Sequence, residues 1–405
     1  MRIDYGQFIH ALSDTIDLVG VDELQHGKRV AFMAAACCDL MGESLERKQF
    51  LYRAGLLHDC GVSSTTVHKN LVNELEWENS DTHCQVGAER LNSFAPLSEF
   101  SEITRHHHRR WQDLKKQDLS FQTKVDANLI FLLDRVDALG AMASTPNRLA
   151  NRTAICNKID TLRNTYFHPE LVDIFLQASE IEAFWITQAP LHLNDYIHKQ
   201  QQQSDPITLD GGQFKDMARI FAQVVDAKSR FTAEHSAGVA RLAAYLANCC
   251  RLPETVCEKI EVAALLHDIG KLQIPDTILD FNGGLEGESL AIMRHHSYVT
   301  FVILNKIAGL EDISTWASNH HEKLDGSGYP FKRNENELTI ESRIIMVADI
   351  FQALIQDRPY RSSLPVEETI FILHKMAEGN KIDRDIVGII ADRPQECYQK
   401  ASMTH

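Results

Sequence analysis

The feature that most constrains the fold is a pattern of histidine and aspartate that occurs twice along the chain. The first copy contains His26, His58 and Asp59, and the second contains His235, His267 and Asp268. In both copies 32 residues separate the first histidine from the His-Asp pair, and one offset of 209 residues relates the two copies. The flanking segments also match, since AGLLHDCG (54–61) resembles AALLHDIG (263–270). This repeat indicates two tandem domains of the same type.

The segments around the repeated residues have the periodicity of helices. The chain contains only 11 proline and 20 glycine residues among 405, which leaves long stretches without a helix breaker. Phe214, Met217 and Phe221 recur at the spacing of one helical face. We therefore predict an all-α protein that consists of two tandem helical domains.

A polar stretch separates the two copies. The segment HKQQQQSDPITLDGG (198–212) is rich in glutamine and contains Pro206 and a glycine pair, which is the composition of a linker. We place the boundary near residue 205 and predict domains over residues 1–200 and 206–405.

The composition excludes several kinds of partner. With 41 Lys+Arg against 56 Asp+Glu the net charge is −15, which argues against binding to a nucleic acid polymer or to an anionic membrane surface. The sequence has no apolar run of 18 residues and no leader-like start, so we expect a cytoplasmic protein. Its nine cysteines form no CxxC motif, and we expect reduced thiols.

The second half of the chain carries more metal-ligating side chains than one ion requires. Seven of them are spread over 115 residues beside apolar helical segments: His235, His267, Asp268, His296, His320, His321 and Asp349. Imidazole and carboxylate ligands suit Fe, Mn, Zn or Ni better than Ca. A carboxylate at the edge of an apolar run would be costly to bury alone, and a metal removes that cost. The pattern therefore predicts two metal ions.

Several motifs in this half resemble those of the HD-GYP family, the bacterial cyclic-dinucleotide phosphodiesterases of the larger HD phosphohydrolase superfamily. The resemblance covers roughly residues 210–390 and rests on HDIGK (267–271), HSYVT (296–300), HHEKLDGSGYP (320–330), VADIFQAL (347–354) and DRPYR (357–361). The other HD hydrolases share the histidine and aspartate skeleton, but the GYP motif distinguishes this family from them.

The resemblance implies a role for each matching residue. The seven histidines and aspartates fall on metal-ligand positions, with Asp268 bridging two ions, and Lys271 falls on the lysine that faces the scissile phosphate. Asp268 and Lys271 are thus the predicted catalytic residues. The predicted substrate-binding residues are Gly326, Gly328, Tyr329, Pro330, Arg358 and Arg361. Two divalent transition-metal ions are implied as cofactors, with Fe or Mn expected and Zn, Ni or Mg as alternatives.

The sequence departs from the family pattern at two positions. Many members have a glutamate four residues before the first histidine, where it supports a third metal, and this chain has Phe231 there. The glycine usually found four residues after the third histidine is Thr300. The first departure favours a two-metal site, and we expect the second to change only helix packing.

The first half keeps much of the same skeleton. A second metal site is predicted from His26, His58, Asp59, His83, His107 and Asp134, although either adjacent pair among His106, His107 and His108 fits the spacing. Val62 stands where the other copy has Lys271, and no GYP motif follows RHHHRRW (105–111). We interpret this half as a degenerate HD domain that holds metal without catalysing.

The predicted function is metal-dependent hydrolysis of a cyclic dinucleotide to a linear dinucleotide. The resemblance leaves 3′,3′-cyclic GMP-AMP (cGAMP) and cyclic di-GMP open as substrates, and it leaves a homodimer open. Two alternatives are a cyclic-dinucleotide receptor or interaction module without turnover, and a general HD nucleotide phosphohydrolase. Lys271 argues against the first alternative, and the GYP motif argues against the second.

Overall fold

The computed structural model describes residues 1–19, 25–62, 80–142, 147–202, 205–228, 233–281, 283–357 and 362–402. Helices account for most of these residues. The strands Arg2–Asp4 and Pro206–Thr208 pair in one small sheet. The predicted all-α class is therefore confirmed. Within the described ranges, no helix is long and apolar enough to cross a membrane.

The chain divides into two compact units. The N-terminal unit is Tyr5–Pro206, and the C-terminal unit is Met1–Asp4 together with Ile207–His405. The first four residues, which the sequence analysis assigned to the N-terminal domain, thus group with the C-terminal unit. The reason is strand pairing, which the amide of Leu209 extends by donating to the Met1 carbonyl at 2.7 Å. A three-residue strand is too short to leave a periodicity signal in the sequence.

The N-terminal unit is built from helices around an apolar core that includes Phe8, Phe94 and Phe175, all at most 1% exposed. Its helices are Tyr5–Asp17, His26–Met41, Leu45–Leu57, Ser80–Asn92, Ala95–Phe100 (3₁₀), Ser101–His106, Trp111–Leu114, Phe121–Ala141, Arg148–Thr161, Pro169–Glu180, Glu182–Ile186 and Pro190–Gln201. The predicted ligand His26 is the first residue of the helix His26–Met41, and Asp134 lies in the second half of the helix Phe121–Ala141.

The C-terminal unit has its own core, to which the predicted face of Phe214, Met217 and Phe221 contributes. Its helices are Gly211–Lys228, Ala233–Cys249, Glu254–Leu266, Ile269–Gln273 (3₁₀), Asp276–Leu279, Gly287–Leu304, Glu311–Ser318, Ile340–Ile355, Val366–Glu378, Arg384–Asp392 and Pro394–Ser402. Each unit therefore buries apolar helix faces independently of the other.

In both units the His-Asp pair lies directly after a helix. The helix Glu254–Leu266 ends immediately before His267, and Leu45–Leu57 ends immediately before His58. The turn that follows lies against the helix that carries the third histidine. A Cβ added to Gly270 would lie 2.0 Å from the carbonyl oxygen of His296. Glycine is therefore required for this close approach.

We expect Gly270→Ala to lower the thermal stability of the protein and to displace His296, because the added methyl group meets backbone that cannot rotate away. Overpacking of this kind costs about 1–3 kcal/mol. Gly388→Ala is the control, because no atom lies within 4 Å of an added Cβ there and alanine favours the helix. Circular dichroism melts and metal content would measure both effects. A Gly270→Ala protein as stable as the parent would contradict the packing argument.

Candidate functional site

The C-terminal unit gathers its predicted ligands into two clusters on either side of one carboxylate. The first cluster is His235, His267 and Asp349, and the second cluster is His296, His320 and His321. Asp268 Oδ2 faces the first cluster, 3.2 Å from His267 Nε2 and 3.9 Å from His235 Nε2. Asp268 Oδ1 faces the second, 3.6 Å from His296 Nε2 and 3.9 Å from His320 Nε2. All seven predicted residues thus meet at one place.

Backbone carbonyls orient the imidazoles. His267 Nδ1 donates to Ala264 O at 2.7 Å, and His320 Nδ1 donates to Ala317 O at 2.7 Å. Each acceptor lies three residues earlier, in the last turn of a helix, where carbonyls lack an intrahelical partner. His296 Nδ1 also donates to a carbonyl three residues earlier, that of Met293 at 2.6 Å, which lies within the helix Gly287–Leu304. Because Nδ1 is the donor, Nε2 is left with a lone pair that points to the clusters.

The electrostatics of the second cluster and of Asp268 favour the protonation states that metals require. Burial lowers the pKa of His296 to about 4, and burial together with the charge of His321 lowers the pKa of His320 well below its usual range. Burial alone would raise the pKa of Asp268, but His267 and Lys271 hold it well below its ordinary value. Burial also acts to lower the pKa of His267, but the charges of Asp268 and Asp349 outweigh it and raise that pKa above its ordinary value. His296 and His320 are thus neutral and Asp268 is ionised at neutral pH.

One buried atom indicates that this donor set fits a metal. Asp268 is 2% exposed, and its Oδ1 has no hydrogen-bond partner within the described part of the chain. Leaving a buried carboxylate oxygen unpaired is costly. The Nε2 atoms of His296 and His320, 3.1 Å apart, lie beside this oxygen. Imidazole nitrogens and a carboxylate oxygen converging in this way can hold a divalent transition metal.

Lys271 contributes a positive charge beside the Asp268 carboxylate. Its ammonium lies 2.6 Å from Asp268 Oδ2, and its side chain is 21% exposed, whereas that of Asp268 is 2% exposed. The lysine therefore reaches from the surface into the site.

The HHEKLDGSGYP segment folds back onto the second cluster. The Tyr329 ring lies 4.8 Å from that of His321, and its amide donates to His321 O at 3.1 Å. The Glu322 carboxylate accepts from the amides of Phe331 and Arg333 at 2.6 and 3.1 Å. Gly326 adopts a positive φ of 75°. The motif thus holds a tyrosine against a ligand histidine.

Gly328 is required for close packing, whereas Gly326 is required for its positive φ. A Cβ at Gly328 would lie 2.3 Å from the Cα of Glu322, so the loop packs backbone against backbone. The assignment of Gly326, Gly328, Tyr329 and Pro330 to substrate binding stays a prediction. Arg358, Arg361 and Phe231 lie outside the described residues.

Thr300 does more than alter helix packing. Its hydroxyl donates to His267 O at 3.0 Å and accepts from the amide of Gly270 at 3.1 Å. Because Thr300 is buried, these bonds are shielded from water. The threonine therefore ties the helix Gly287–Leu304 to the HDIGK turn.

The N-terminal unit repeats the arrangement around Asp59. Asp59 Oδ2 lies 3.5 Å from His58 Nε2 and 3.7 Å from His26 Nε2, and Oδ1 lies 3.5 Å from His83 Nε2 and 3.6 Å from His107 Nε2. Asp134 Oδ1 lies 3.3 Å from His26 Nε2. The six residues predicted for a second site are therefore together.

The structure selects one of the two adjacent histidine pairs. His107 and His108 join the cluster with His83, whereas His106 Nε2 lies 3.5 Å from Glu102. His107 is among the predicted ligands, and His108 is a member of one of the two pairs that the spacing left open. A signal for it exists, because His83, His107 and His108 are each 213 residues before His296, His320 and His321.

Cys84 is a residue that the sequence analysis missed. Its Sγ belongs to the same cluster, 3.7 Å from His83 Nε2. Burial alone would raise the pKa of this thiol, but the charges of His107 and His83 lower it to about 6. Nothing in the sequence distinguished Cys84 from a core residue, because a cysteine in a helical pattern usually indicates core packing.

The two units differ in what supports the first histidine. His26 Nδ1 donates to Asp137 at 2.7 Å, and Asp137 also pairs with Arg29 at 2.6 Å and Arg148 at 2.8 Å. In the C-terminal unit, His235 Nδ1 donates to the neutral Gln352. The first histidine is thus held by a buried network of charged side chains in the N-terminal unit and by one amide side chain in the C-terminal unit.

Comparison with known proteins agrees with this geometry. The HD domain family matches residues 219–386 and residues 24–142. The 3′3′-cGAMP-specific phosphodiesterase 1 of Vibrio cholerae is 34% identical over 407 residues, which covers 98% of this chain and 94% of that protein. The cyclic di-GMP phosphodiesterase of Thermotoga maritima is 36% identical over 155 residues, 38% of this chain and 42% of that protein.

A solved structure has the same fold. The crystal structure of a cyclic GMP-AMP specific phosphodiesterase from V. cholerae superposes with a TM-score of 0.67 at 21% identity, covering 98% of each chain. Because one relative is matched over nearly the whole of both sequences and each unit contains an HD domain, this chain belongs to the HD-GYP family of cyclic-dinucleotide phosphodiesterases.

Proposed function

We propose that the C-terminal unit hydrolyses cGAMP to a linear dinucleotide. The observation that carries this proposal is the two-sided carboxylate of Asp268, which has a histidine cluster on each side and the ammonium of Lys271 at 2.6 Å. The choice of cGAMP is supported by the cGAMP-specific relative, since that similarity extends over 98% of this chain.

The seven ligands would hold two divalent metal ions, with Asp268 shared between them. When bound, such a pair supplies an activated water and neutralises charge on a phosphodiester. The oxygen and nitrogen donors suit Fe or Mn, and also Zn, Ni or Mg as alternatives. The protein's own part is to orient the imidazoles through the Nδ1 bonds of His267, His296 and His320, and to keep those of His296 and His320 neutral through burial.

Lys271 would stabilise charge that develops on the phosphate. A lysine ammonium acts as a point cation with three donors, so it can follow a phosphoryl oxygen through the reaction. Its partly exposed side chain supports this role, because a substrate can reach the ammonium from solvent. Tyr329 would contact the substrate beside His321, together with Arg358 and Arg361.

Cyclic di-GMP is the second candidate substrate. It is favoured by the cyclic di-GMP phosphodiesterases of Thermotoga maritima and Pseudomonas aeruginosa, which match 38% and 37% of this chain. Those similarities cover less of the chain than the cGAMP-specific relative does. We therefore rank cyclic di-GMP below cGAMP.

The N-terminal unit would bind metal without catalysing hydrolysis. Its ligand skeleton surrounds Asp59 as described, and Asp59 Oδ1 is a buried oxygen with no hydrogen-bond partner among the described residues. However, Val62 is buried where the C-terminal copy has Lys271. Without that ammonium, the unit has the ligands of the site but not its charge-stabilising group.

Product analysis tests the substrate. We expect the full-length protein, loaded anaerobically with Fe(II) or Mn(II), to convert cGAMP to a linear dinucleotide with a higher kcat/KM than cyclic di-GMP or cyclic di-AMP. Parallel samples would carry Zn, Ni or Mg. A higher kcat/KM for cyclic di-GMP would overturn the choice of cGAMP. Binding without turnover in every sample would instead identify a receptor.

We expect Lys271→Ala to lower kcat by about a hundredfold or more, the usual cost of removing one donor that stabilises developing charge. Metal content should stay unchanged, because the lysine donates to Asp268 and is not a ligand. Lys400→Ala, an exposed lysine on the helix Pro394–Ser402, is the matched control and should leave kcat unaltered. Loss of metal in Lys271→Ala, or unchanged kcat, would contradict the assigned role.

We expect the double variant His58→Ala, Asp59→Ala to lose metal from the N-terminal unit while the single-turnover rate of cGAMP hydrolysis stays within about tenfold, a barrier change below roughly 1.4 kcal/mol. The reason is that the proposed chemistry uses the C-terminal ligands. His192→Ala, at an exposed histidine, is the control for both readouts. A hundredfold loss of the single-turnover rate would place chemistry in the N-terminal unit instead.

A further inference from the structure

We propose that Cys84 is a metal ligand, so that the N-terminal unit holds a thiolate-containing centre that takes a borderline-soft divalent cation such as zinc. This inference rests on the proposed function in one respect, which is that the N-terminal unit binds metal. It goes further by assigning a ligand of a different chemical class and, with it, a different metal preference for the two units.

The position of the sulfur carries the inference. The ligand atoms of His83, Cys84, His107 and His108 all lie within 4.8 Å of one another. Cys84 Sγ is 3.7 Å from His83 Nε2, and the Nε2 atoms of His83 and His107 are 3.4 Å apart. These separations are comparable with the edges of a coordination polyhedron that has metal–sulfur bonds of about 2.3 Å and metal–nitrogen bonds of about 2.0–2.1 Å.

Among the residues that the structure describes, the thiol has no better partner that explains its position. Its other close contact is His107 Nδ1 at 3.5 Å, but that nitrogen already donates to Thr104 O at 2.7 Å. All nine cysteines of the chain are free thiols, so Cys84 is not part of a disulfide. A buried thiol among imidazole nitrogens is a metal-binding environment rather than an apolar core position.

An independent observation points to a cation at the same place. Asp59 is 7% exposed, and its Oδ1 has no hydrogen-bond partner in the described ranges. That oxygen lies 3.5 Å from His83 Nε2 and 3.6 Å from His107 Nε2, so it is directed into the cluster that contains the thiol. A cation there would satisfy the carboxylate oxygen and the sulfur together.

The C-terminal unit lacks this ligand. Ser297 follows His296 as Cys84 follows His83, and its hydroxyl lies 3.3 Å from His296 Nε2. The C-terminal clusters described above contain histidine and aspartate without cysteine. Thiolate ligands favour zinc and other thiophilic ions, whereas nitrogen and oxygen ligands also accept Mn or Mg. The two units should therefore differ in the metal that they retain.

Cobalt(II) tests the ligand directly, because a thiolate bound to Co(II) gives a near-ultraviolet charge-transfer band that nitrogen and oxygen ligands do not give. The full-length protein would be loaded anaerobically with Co(II), and absorbance and cobalt content would be measured together. We expect the band in the parent protein and in Cys156→Ser, which removes a half-buried thiol of the same unit. We expect Cys84→Ser and Cys84→Ala to lose it.

A second pair of measurements keeps the test decisive if the Cys84 variants fold poorly. His107→Ala retains the thiol but removes a neighbouring ligand, and it should also lose the band. Zinc-loaded parent protein should show a sulfur shell at about 2.3 Å in its X-ray absorption spectrum. A parent protein without the band or the sulfur shell overturns the inference, as does a Cys84→Ser protein that keeps both.

Cobalt content distinguishes failure of the N-terminal metal site from failure of the Cys84 assignment. If His58→Ala, Asp59→Ala binds less cobalt than the parent but the parent has no thiolate band, the N-terminal metal site stands and the Cys84 assignment is wrong. If the double variant binds as much cobalt as the parent and the parent has no thiolate band, the N-terminal metal site is wrong, and the inference about Cys84 is overturned with it.

Discussion

The structure of each unit depends on one buried carboxylate whose two oxygens face opposite ways. Asp268 is 2% exposed and Asp59 is 7% exposed, and in both the Oδ1 atom has no hydrogen-bond partner within the described chain. Burying such a group alone would cost several kcal/mol. The surrounding helices therefore have to present ligand atoms to it from both sides. This requirement explains why residues as distant as His235 and Asp349 meet at the same point.

Helix ends supply the rigidity that this arrangement needs. The carbonyls of the last helical turn lack intrahelical partners, and His58, His267 and His320 use them as acceptors for Nδ1. One bond thus satisfies a backbone group and fixes an imidazole with Nε2 toward the carboxylate. The same local geometry occurs in both units. The repeat seen in the sequence is therefore a repeat of helix ends as well as of ligand types.

The sequence predicted the all-α class from helical periodicity, and it predicted which residues surround Asp268 from their ligand types and from motifs that resemble those of the HD-GYP family. It did not resolve the choice among His106, His107 and His108, because adjacent histidines have almost the same spacing. The offset also changes from 209 to 213 residues between the His-Asp pair and the third histidine, as four more residues lie there in the second half. Gln352 and Asp137 were not predicted, since each meets its histidine from a helix more than 100 residues away.

The two units have the same histidine and aspartate skeleton but distribute their charges differently, and this difference supports the proposed division between metal binding and catalysis. In the C-terminal unit Lys271 pairs with the bridging carboxylate itself and remains 21% exposed, so its charge is available at the mouth of the site. In the N-terminal unit Arg29 and Arg148 pair with Asp137, whose side chain is fully buried behind His26. Those cations stabilise the carboxylate that orients the His26 imidazole. The N-terminal unit has no lysine where Lys271 stands, and this difference in charge is the physical basis for proposing that hydrolysis takes place in the C-terminal unit.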